Sequence, residues 1–314
     1  MTQPLFSVII CSHNPRHNYI VRVIDALKSQ TLSKELWELL LVDNSSEKFL
    51  SEEIDLSWHP KSYCIREEQL GLTPARLRGI KEAVAENLVF VDDDNVLDLN
   101  YLEVALGISK DYPFIGAWGG QIRPEFEVQP PKWTKPYWEM LAIREFNQDK
   151  WSNLVNQYKI TPCGAGLCIR KFVAEKYSKL VLNNPQRATM DRKGKILTSC
   201  GDSDLAFTAC DMGLYMGQFT ALKMTHLIPA FRLQLDYLER LVEGIGYSVT
   251  ILNSIRGKLP TKTSWQRKLF QNSVRWWLTP NKQRLHDAYI RGLDMALKEL
   301  TSESSSTNIS ENRK

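Results

Sequence analysis

Leu88-Val89-Phe90-Val91-Asp92-Asp93-Asp94-Asn95 joins four apolar residues to three consecutive carboxylates. An apolar run of this length predicts a short strand buried on both faces. On an extended backbone Asp92 and Asp94 point to one side and Asp93 to the other. Two like charges about 4 Å apart repel by roughly 4 kcal/mol at an effective dielectric near 20. A raised pKa, basic neighbours or a hard divalent cation must offset that repulsion. The bland alternative is a solvated Asp-rich turn. With strand and helix units on both sides, a strand ending in D-x-D points instead to a cation and diphosphate site.

Working outward, Phe6-Ser7-Val8-Ile9-Ile10-Cys11 predicts another buried strand, running into the turn Ser12-His13-Asn14-Pro15. Ile20, Val23, Ile24 and Leu27 fall at i, i+3, i+4 and i+7, the spacing of an amphipathic helix. Leu39-Leu40-Leu41-Val42 predicts a strand that delivers Asp43-Asn44-Ser45-Ser46, and a shorter strand is expected near Ser62 to Ile65. Thr73-Pro74 reads as N-cap and first residue of a helix with Leu77, Ile80 and Val84 on one face. Alternating strands and helices mean a mostly parallel sheet with right-handed crossovers. Ligands of such sheets sit beyond the strands' carboxyl ends, where Ser12, Asn14, Asp43 and Asp92 to Asp94 are expected to converge. Asp43 has the position of a ribose- or base-binding acid, or of an Asx-turn. Gly71 before a helix carrying Arg76 is a candidate anion cradle. No P-loop or G-x-G-x-x-G fingerprint is present.

The order loosens beyond Tyr112-Pro113. Phe114 to Trp118 suggests a strand, and 123–162 is rich in proline and tryptophan, suited to capping the sheet or stacking on a sugar ring. Cys163-Gly164-Ala165-Gly166-Leu167-Cys168 supplies small residues where a backbone must approach something closely. Asn183 to Lys195 reads as a loop or hairpin tip. Asp202-Ser203-Asp204-Leu205 opens a helix with Leu205, Ala206, Ala209 and Cys210 inward, ended by Gly213. A strand from Tyr215 to Met224 is expected to run into His226, which suits either a metal or phosphate ligand or a structural histidine.

Taken together, Ser7-Val8-Ile9-Ile10, Val42-Asp43-Asn44-Ser45, the Gly71 to Gly79 segment, Phe90 to Asp94, Gly164-Ala165-Gly166 and Asp202-Ser203-Asp204-Leu205 resemble the ordered signature of the family-2 glycosyltransferases. The resemblance covers residues 5 to about 230. It implies an α/β GT-A fold with a Rossmann-like nucleotide-binding half, 1–112, and an acceptor-binding half, 113–230; beyond it, apolar spacing predicts a helical extension, 231–300, and polar composition a disordered tail, 301–314. It also implies inverting transfer of a single sugar from a nucleotide-diphosphate sugar to a hydroxyl of a carbohydrate or glycolipid, in polysaccharide or glycoconjugate synthesis. By this resemblance Asp43 contacts the nucleoside, Asp92 and Asp94 hold Mg²⁺ or Mn²⁺ and the diphosphate, and Asp202 is the general base. Ser12, Asn14, Arg76 and Asp93 complete the candidate donor contacts. Gly164, Ala165, Gly166 and Trp118 are candidate acceptor contacts, and His226 is a candidate third metal ligand. Two departures stand out. Gly201 precedes Asp202 where the family often has Glu, and the Q-x-x-R-W pattern of processive members is missing.

Two other functions fit parts of the pattern. Nucleotidyl transfer to a sugar phosphate shares the crevice and carboxylates but calls for a glycine-rich N-terminal loop, and Ser12-His13-Asn14-Pro15-Arg16 has no glycine. A non-catalytic nucleotide-sugar-binding module needs the acidic strand but no base.

Composition bounds the rest. The 314 residues are 43% hydrophobic and 24% charged, as in a globular protein. Six scattered cysteines without C-x-x-C pairs suggest reduced thiols in a cytoplasmic protein, and neither a signal peptide nor a spanning apolar run is read. No nucleic-acid partner is expected. Residues 256–291 hold nine Lys or Arg against the single acid Asp287, a net +8, so the other residues together bring the chain down to +4. A helix is read over 233–256 with Leu238, Leu241, Ile245, Val249 and Leu252 on one face. The following basic stretch with Trp265, Leu269, Phe270, Trp276 and Trp277 suits either packing, the preferred reading, or a peripheral contact at the inner face of a membrane.

Overall fold

Residues Phe6–Ser12 form β1, and every alternate side chain on both of its faces is buried except Cys11. It lies between β2 (Trp37–Asn44) and β4 (Asn87–Asp92), parallel to both. β3 (Ser62–Glu67) extends the sheet parallel to β2. Register levels the ends: Ser12 is opposite Asp43, and Cys11 is opposite Asp92. The structure is a computed structural model and describes residues 3–193, 196–258, 275 and 278–311.

Beyond β4 the sheet changes direction. The short β8 (Cys168–Arg170) runs antiparallel to both β4 and β6 (Ile115–Phe126), so β6 again runs with β4. β6 pairs parallel with the long β9 (Tyr215–Ile228), against which β5 (Asn95–Leu97) and β7 (Lys150–Ser152) are antiparallel. The strand order is β3-β2-β1-β4-β8-β6-β9-β5, with β7 beside β9.

Helices cover the two faces. Ile20, Val23, Ile24 and Leu27 of α1 (His17–Lys28) join Val8, Ile10, Leu39, Leu41, Val89 and Val91 in one apolar cluster. Leu102, Ala105 and Ile108 of α4 (Tyr101–Asp111) belong to the same cluster. One short turn of helix, α2 (Leu50–Glu53), lies between β2 and β3 in the chain. On the other face α3 (Leu72–Glu82) comes so close that a Cβ on Gly79 would lie 2.5 Å from the Ile9 side chain. That approach changes the expected helix face. Thr73, Ala75, Arg76, Gly79 and Ile80 are buried, whereas Val84 lies beyond the helix end and is 50% exposed. Gly71, at φ 141°, occupies the N-cap position expected of Thr73.

Other elements differ from the sequence reading in extent. β6 and β9 both run further than their apolar cores suggested, and Lys171–Asn183 forms a helix, α5, that the reading did not contain. A single turn, α6 (Pro185–Ala188), follows it. Helix α7 (Gly201–Asp211) is as expected, with Leu205, Ala206 and Ala209 buried and Gly213 at φ 79° after its end.

The chain divides into two compact units. The first comprises Met1–Ala188 and Gly201–Ala230; the second comprises Thr189–Cys200 and Phe231–Lys314. In the second, α8 (Leu235–Ile255) packs on α9 (Pro280–Glu311). A Cβ on Gly246 would lie 2.5 Å from the Tyr289 carbonyl, and one on Gly292 would collide with the Glu243 carbonyl. This close crossing buries Leu238, Leu241, Val242 and Ile251 and leaves Ile245 and Val249 half-buried. Helix α9 continues to Glu311, through part of the segment expected to be disordered. The 189–200 segment joins this unit through the Ser199 N–H, which donates to Ser248 Oγ at 3.0 Å. Trp265, Leu269, Phe270, Trp276 and Trp277 lie outside the described residues.

Candidate active site

The acidic strand does not stay extended through its carboxylates. β4 stops at Asp92, Asp93 and Asp94 make a turn, and the buried side chain of Asn95 closes it by accepting the Asp92 N–H at 3.2 Å. Asp93 and Asp94 diverge, and the turn replaces the extended strand expected to continue through Asp94. Asp93 Oδ2 accepts the Ser12 hydroxyl at 2.5 Å, linking the ends of β4 and β1. Asp94 turns toward β9: its Oδ1 accepts from Asn95 Nδ2 at 2.9 Å, and its Oδ2 lies 3.4 Å from His226 Nε2. His226 is buried within β9, opposite Asn95 and Pro124, rather than at a strand end. Divergence is how this turn lowers the repulsion that an extended strand would impose.

Asp43 is buried at the end of β2. It accepts the N–H groups of Ser46 at 3.0 Å and Leu50 at 3.2 Å, and Arg66 Nη1 at 2.8 Å. Burial pushes its pKa up, but the bonds from Ser46, Arg66 and Leu50 outweigh that and hold it below the usual carboxylate range. Asn14, at φ 48°, steadies the same loop: its N–H donates to Ser46 Oγ at 3.0 Å and its Oδ1 accepts the Glu47 N–H at 2.8 Å. Asn44, read from the sequence only as part of an Asx-turn, builds the neighbouring loop. Its Nδ2 donates to the Gln69 carbonyl at 2.8 Å and its Oδ1 accepts the Gly71 N–H at 2.8 Å, which sets the start of α3.

From α3 the buried Arg76 extends its guanidinium over the Phe90 ring, 5.7 Å from the centroid. Its tip meets the segment before β8. A Cβ on Gly164 would lie 2.5 Å from Arg76 Nη2 and 3.4 Å from Asp202 Cβ. The Gly164 N–H donates to Asp202 Oδ2 at 2.7 Å, while Asp202 Oδ1 accepts the Ser203 N–H at 2.7 Å. Asp202 lies in the first turn of α7, which begins one residue earlier at Gly201, so it is not the cap itself. The adjacent Cys163 thiol registers the surroundings. Burial pushes it up to about 11; Arg144 opposes this, and the carboxylates of Asp202 and Asp92 both add to it. Arg76, Gly164 and Asp202 therefore meet around one spot, and the charges of Asp92 and Arg144 reach Cys163 beside it. No motif in the sequence distinguishes Arg144 or Cys163.

Three of the four candidate acceptor residues do not reach this spot. Trp118 is 0% exposed in β6, between β8 and β9, and Arg170 covers its ring at 6.0 Å. Ala165 belongs to the same apolar cluster. Gly166, at φ 70°, has its carbonyl bound by the buried Tyr101 hydroxyl at 2.6 Å, and a Cβ there would lie 2.6 Å from that hydroxyl. These residues are core, not sugar contacts, because β8 inserts between β4 and β6 and draws the segment inward.

The donors suit a hard cation that has other ligands besides protein. Asp94 Oδ2 and His226 Nε2 are 3.4 Å apart, so a carboxylate oxygen and an imidazole nitrogen could both face one small divalent cation. Among the described residues no three His, Cys, Asp or Glu side chains gather closely enough to hold an ion unaided. A diphosphate and waters would complete the shell, as Mg²⁺ commonly requires.

The glycosyl transferase family 2 model matches residues 7–175, more than half of the chain, and the chain belongs to that family. Its architecture is α/β, a mostly parallel sheet flanked by helices. The glycosyltransferase AglE of Haloferax volcanii is 34% identical over 96 residues, which cover 30% of this chain and 31% of that protein. The inactive polypeptide N-acetylgalactosaminyltransferase-like protein 5 of Macaca fascicularis is 29% identical over 177 residues, 53% of this chain and 38% of that protein. The matched regions thus span well under half the length of these curated relatives. The crystal structure of S. aureus TarS 1–349 superposes with a TM-score of 0.49 and 14% identity, covering 93% of this chain and 88% of that one. Among the described residues no helix is long and apolar enough to cross a membrane.

Proposed function

We propose that the chain transfers a single sugar, with inversion, from a nucleotide-diphosphate sugar to a hydroxyl of a carbohydrate or glycolipid acceptor, and that the transfer depends on Mg²⁺ or Mn²⁺. One observation carries this reading. Asp202 is held by two backbone N–H groups, from Gly164 and Ser203, and the same glycine touches Arg76. In this reading the base and a donor-side guanidinium stand on either side of one residue.

Each carboxylate oxygen of Asp202 keeps a lone pair beyond the bond it already accepts. Asp202 takes the proton of the acceptor hydroxyl as that oxygen bonds to the anomeric carbon and the bond to the diphosphate breaks. Attack opposite the leaving group inverts the centre. Arg76 steadies the diphosphate oxygens. Asp94 and His226 would hold the cation, whose contribution is to offset charge developing on the leaving diphosphate. Asp43 orders the loop on which the nucleoside rests. The basic 256–291 segment would serve attachment to an anionic membrane surface where a glycolipid acceptor resides.

A non-catalytic binding module is the second reading, favoured by the engagement of Asp93 with Ser12 and of Asp94 with Asn95. Incubation with UDP-, GDP- and dTDP-hexoses plus Mg²⁺ or Mn²⁺ separates the two. The proposed activity releases nucleoside diphosphate from at least one donor, and the free sugar formed with water as acceptor has the opposite anomeric configuration to the donor. Metal-dependent binding without release supports the module instead.

A further inference from the structure

We propose that Arg187 is a positioning residue for Asp202, acting through Asp204; the proposal rests on the reading of Asp202 as the base. Successive residues of a helix turn by about 100°, so Asp202 and Asp204 leave the first turn of α7 on nearly opposite sides. Asp202 faces Gly164. Asp204 faces the single-turn helix α6, where Arg187 Nη1 donates to its Oδ2. Asp204 is 0% exposed and Arg187 8% exposed, so this ion pair is withdrawn from water. The Asp204 carbonyl also accepts the Thr208 hydroxyl at 2.9 Å, within the same helix. The first turn of α7 is therefore gripped on both flanks, by a backbone N–H at the base and by a guanidinium behind it.

Stability alone gives little reason for that second grip. A buried ion pair commonly contributes no more than an apolar pair of the same volume, because both charges must be desolvated. What the pair adds is direction. A planar guanidinium accepts one arrangement of the carboxylate and resists rotation of the turn. Misplacement of a catalytic group by about 1 Å costs on the order of 100-fold in rate. Gly201, lacking a side chain, adds no support of its own next to Asp202, and Arg187 supplies the rigidity from the far side.

The test pairs variants that separate folding from positioning. Arg187→Met alone leaves the Asp204 charge buried without its guanidinium and is expected to lower the melting temperature. Arg187→Met with Asp204→Leu removes both charges and is expected to restore melting. With UDP-, GDP- or dTDP-hexose as the probe and nucleoside diphosphate release as the readout, the double variant should keep the donor KM within about 2-fold. Its kcat should fall at least 10-fold and the acid limb of its pH–rate profile should move. Arg187→Lys should recover part of kcat. A double variant with parental melting, parental kcat and an unchanged pH profile overturns the proposal and makes the pair purely structural. Undiminished release by Asp202→Asn, or no release from any donor by the parent, instead removes the reading of Asp202 as base, and the positioning role with it.

Discussion

The backbone N–H of Gly164 donates to Asp202 Oδ2 at 2.7 Å, and the missing side chain of that glycine is what admits the Arg76 guanidinium beside it. One residue therefore couples the two sides of the candidate site. Gly164→Ala places a methyl 2.5 Å from Arg76 Nη2. The far end of a flexible side chain gives way easily, so melting should change little. Arg76 must move, however, while Asp202 Cβ, 3.4 Å from the added methyl, stays in ordinary contact. Turnover of a nucleotide-sugar should fall roughly 10- to 100-fold, with a higher donor KM. Parental kinetics in this variant would show that Arg76 has no role on the donor side.

Asp94→Asn tests the cation. Asn95 Nδ2 still finds an acceptor in the amide oxygen, so little stability should be lost. The charge that faces His226 is gone, and metal-dependent binding of UDP, GDP or dTDP should weaken at least 10-fold by calorimetry. His226→Gln should act in the same direction. Unchanged metal-dependent affinity in both variants would take the Asp94 and His226 pair out of the cation site.

A pH effect on stability is expected far from the site. His59 is buried against Trp37, with ring centroids 4.1 Å apart, and its Nδ1 accepts the Lys61 N–H at 3.1 Å. Burial, then repulsion from Lys34, pushes its pKa down to about 4, and the Lys61 N–H needs an unprotonated acceptor at Nδ1. The folded pKa lies below the unfolded value near 6.5. Stability from neutral His59 is thus full above about pH 6.5 and is lost as pH falls toward 4, by up to about 3 kcal/mol. His59→Phe should flatten urea-denaturation stability across that window; an identical pH slope would place the acid sensitivity in other groups.

Much of the fold follows from local pattern. The runs at Phe6, Leu39 and Leu88 became the three central strands, and the period of Ile20, Val23, Ile24 and Leu27 became the buried face of α1. Parallel strands of level register bring Ser12, Asp43 and Asp92 to one edge, so their convergence was legible too. What escaped depends on contacts remote in sequence. Trp118 is an exposed sugar platform or core according to where β8 inserts. The course of Asp92 to Asp94 depends on Asn95 closing a turn that β9 then anchors. Asp204, two residues beyond the candidate base, is a buried partner of Arg187.

The central claim is that Asp202 takes the proton of the acceptor hydroxyl, and one measurement tests it most directly. Nucleoside diphosphate release is followed for the parent and Asp202→Asn, on whichever of the UDP-, GDP- and dTDP-hexoses the parent turns over, at matched donor saturation with Mg²⁺. Asparagine keeps one of the two acceptors, for either the Gly164 or the Ser203 N–H, and puts an NH₂ where the other oxygen was, so a modest fall in melting temperature is expected while donor affinity stays near parental. It cannot usefully take a proton, and release should drop by roughly 100-fold or more. Release at close to the parental rate from a folded, donor-binding Asp202→Asn variant would contradict the account.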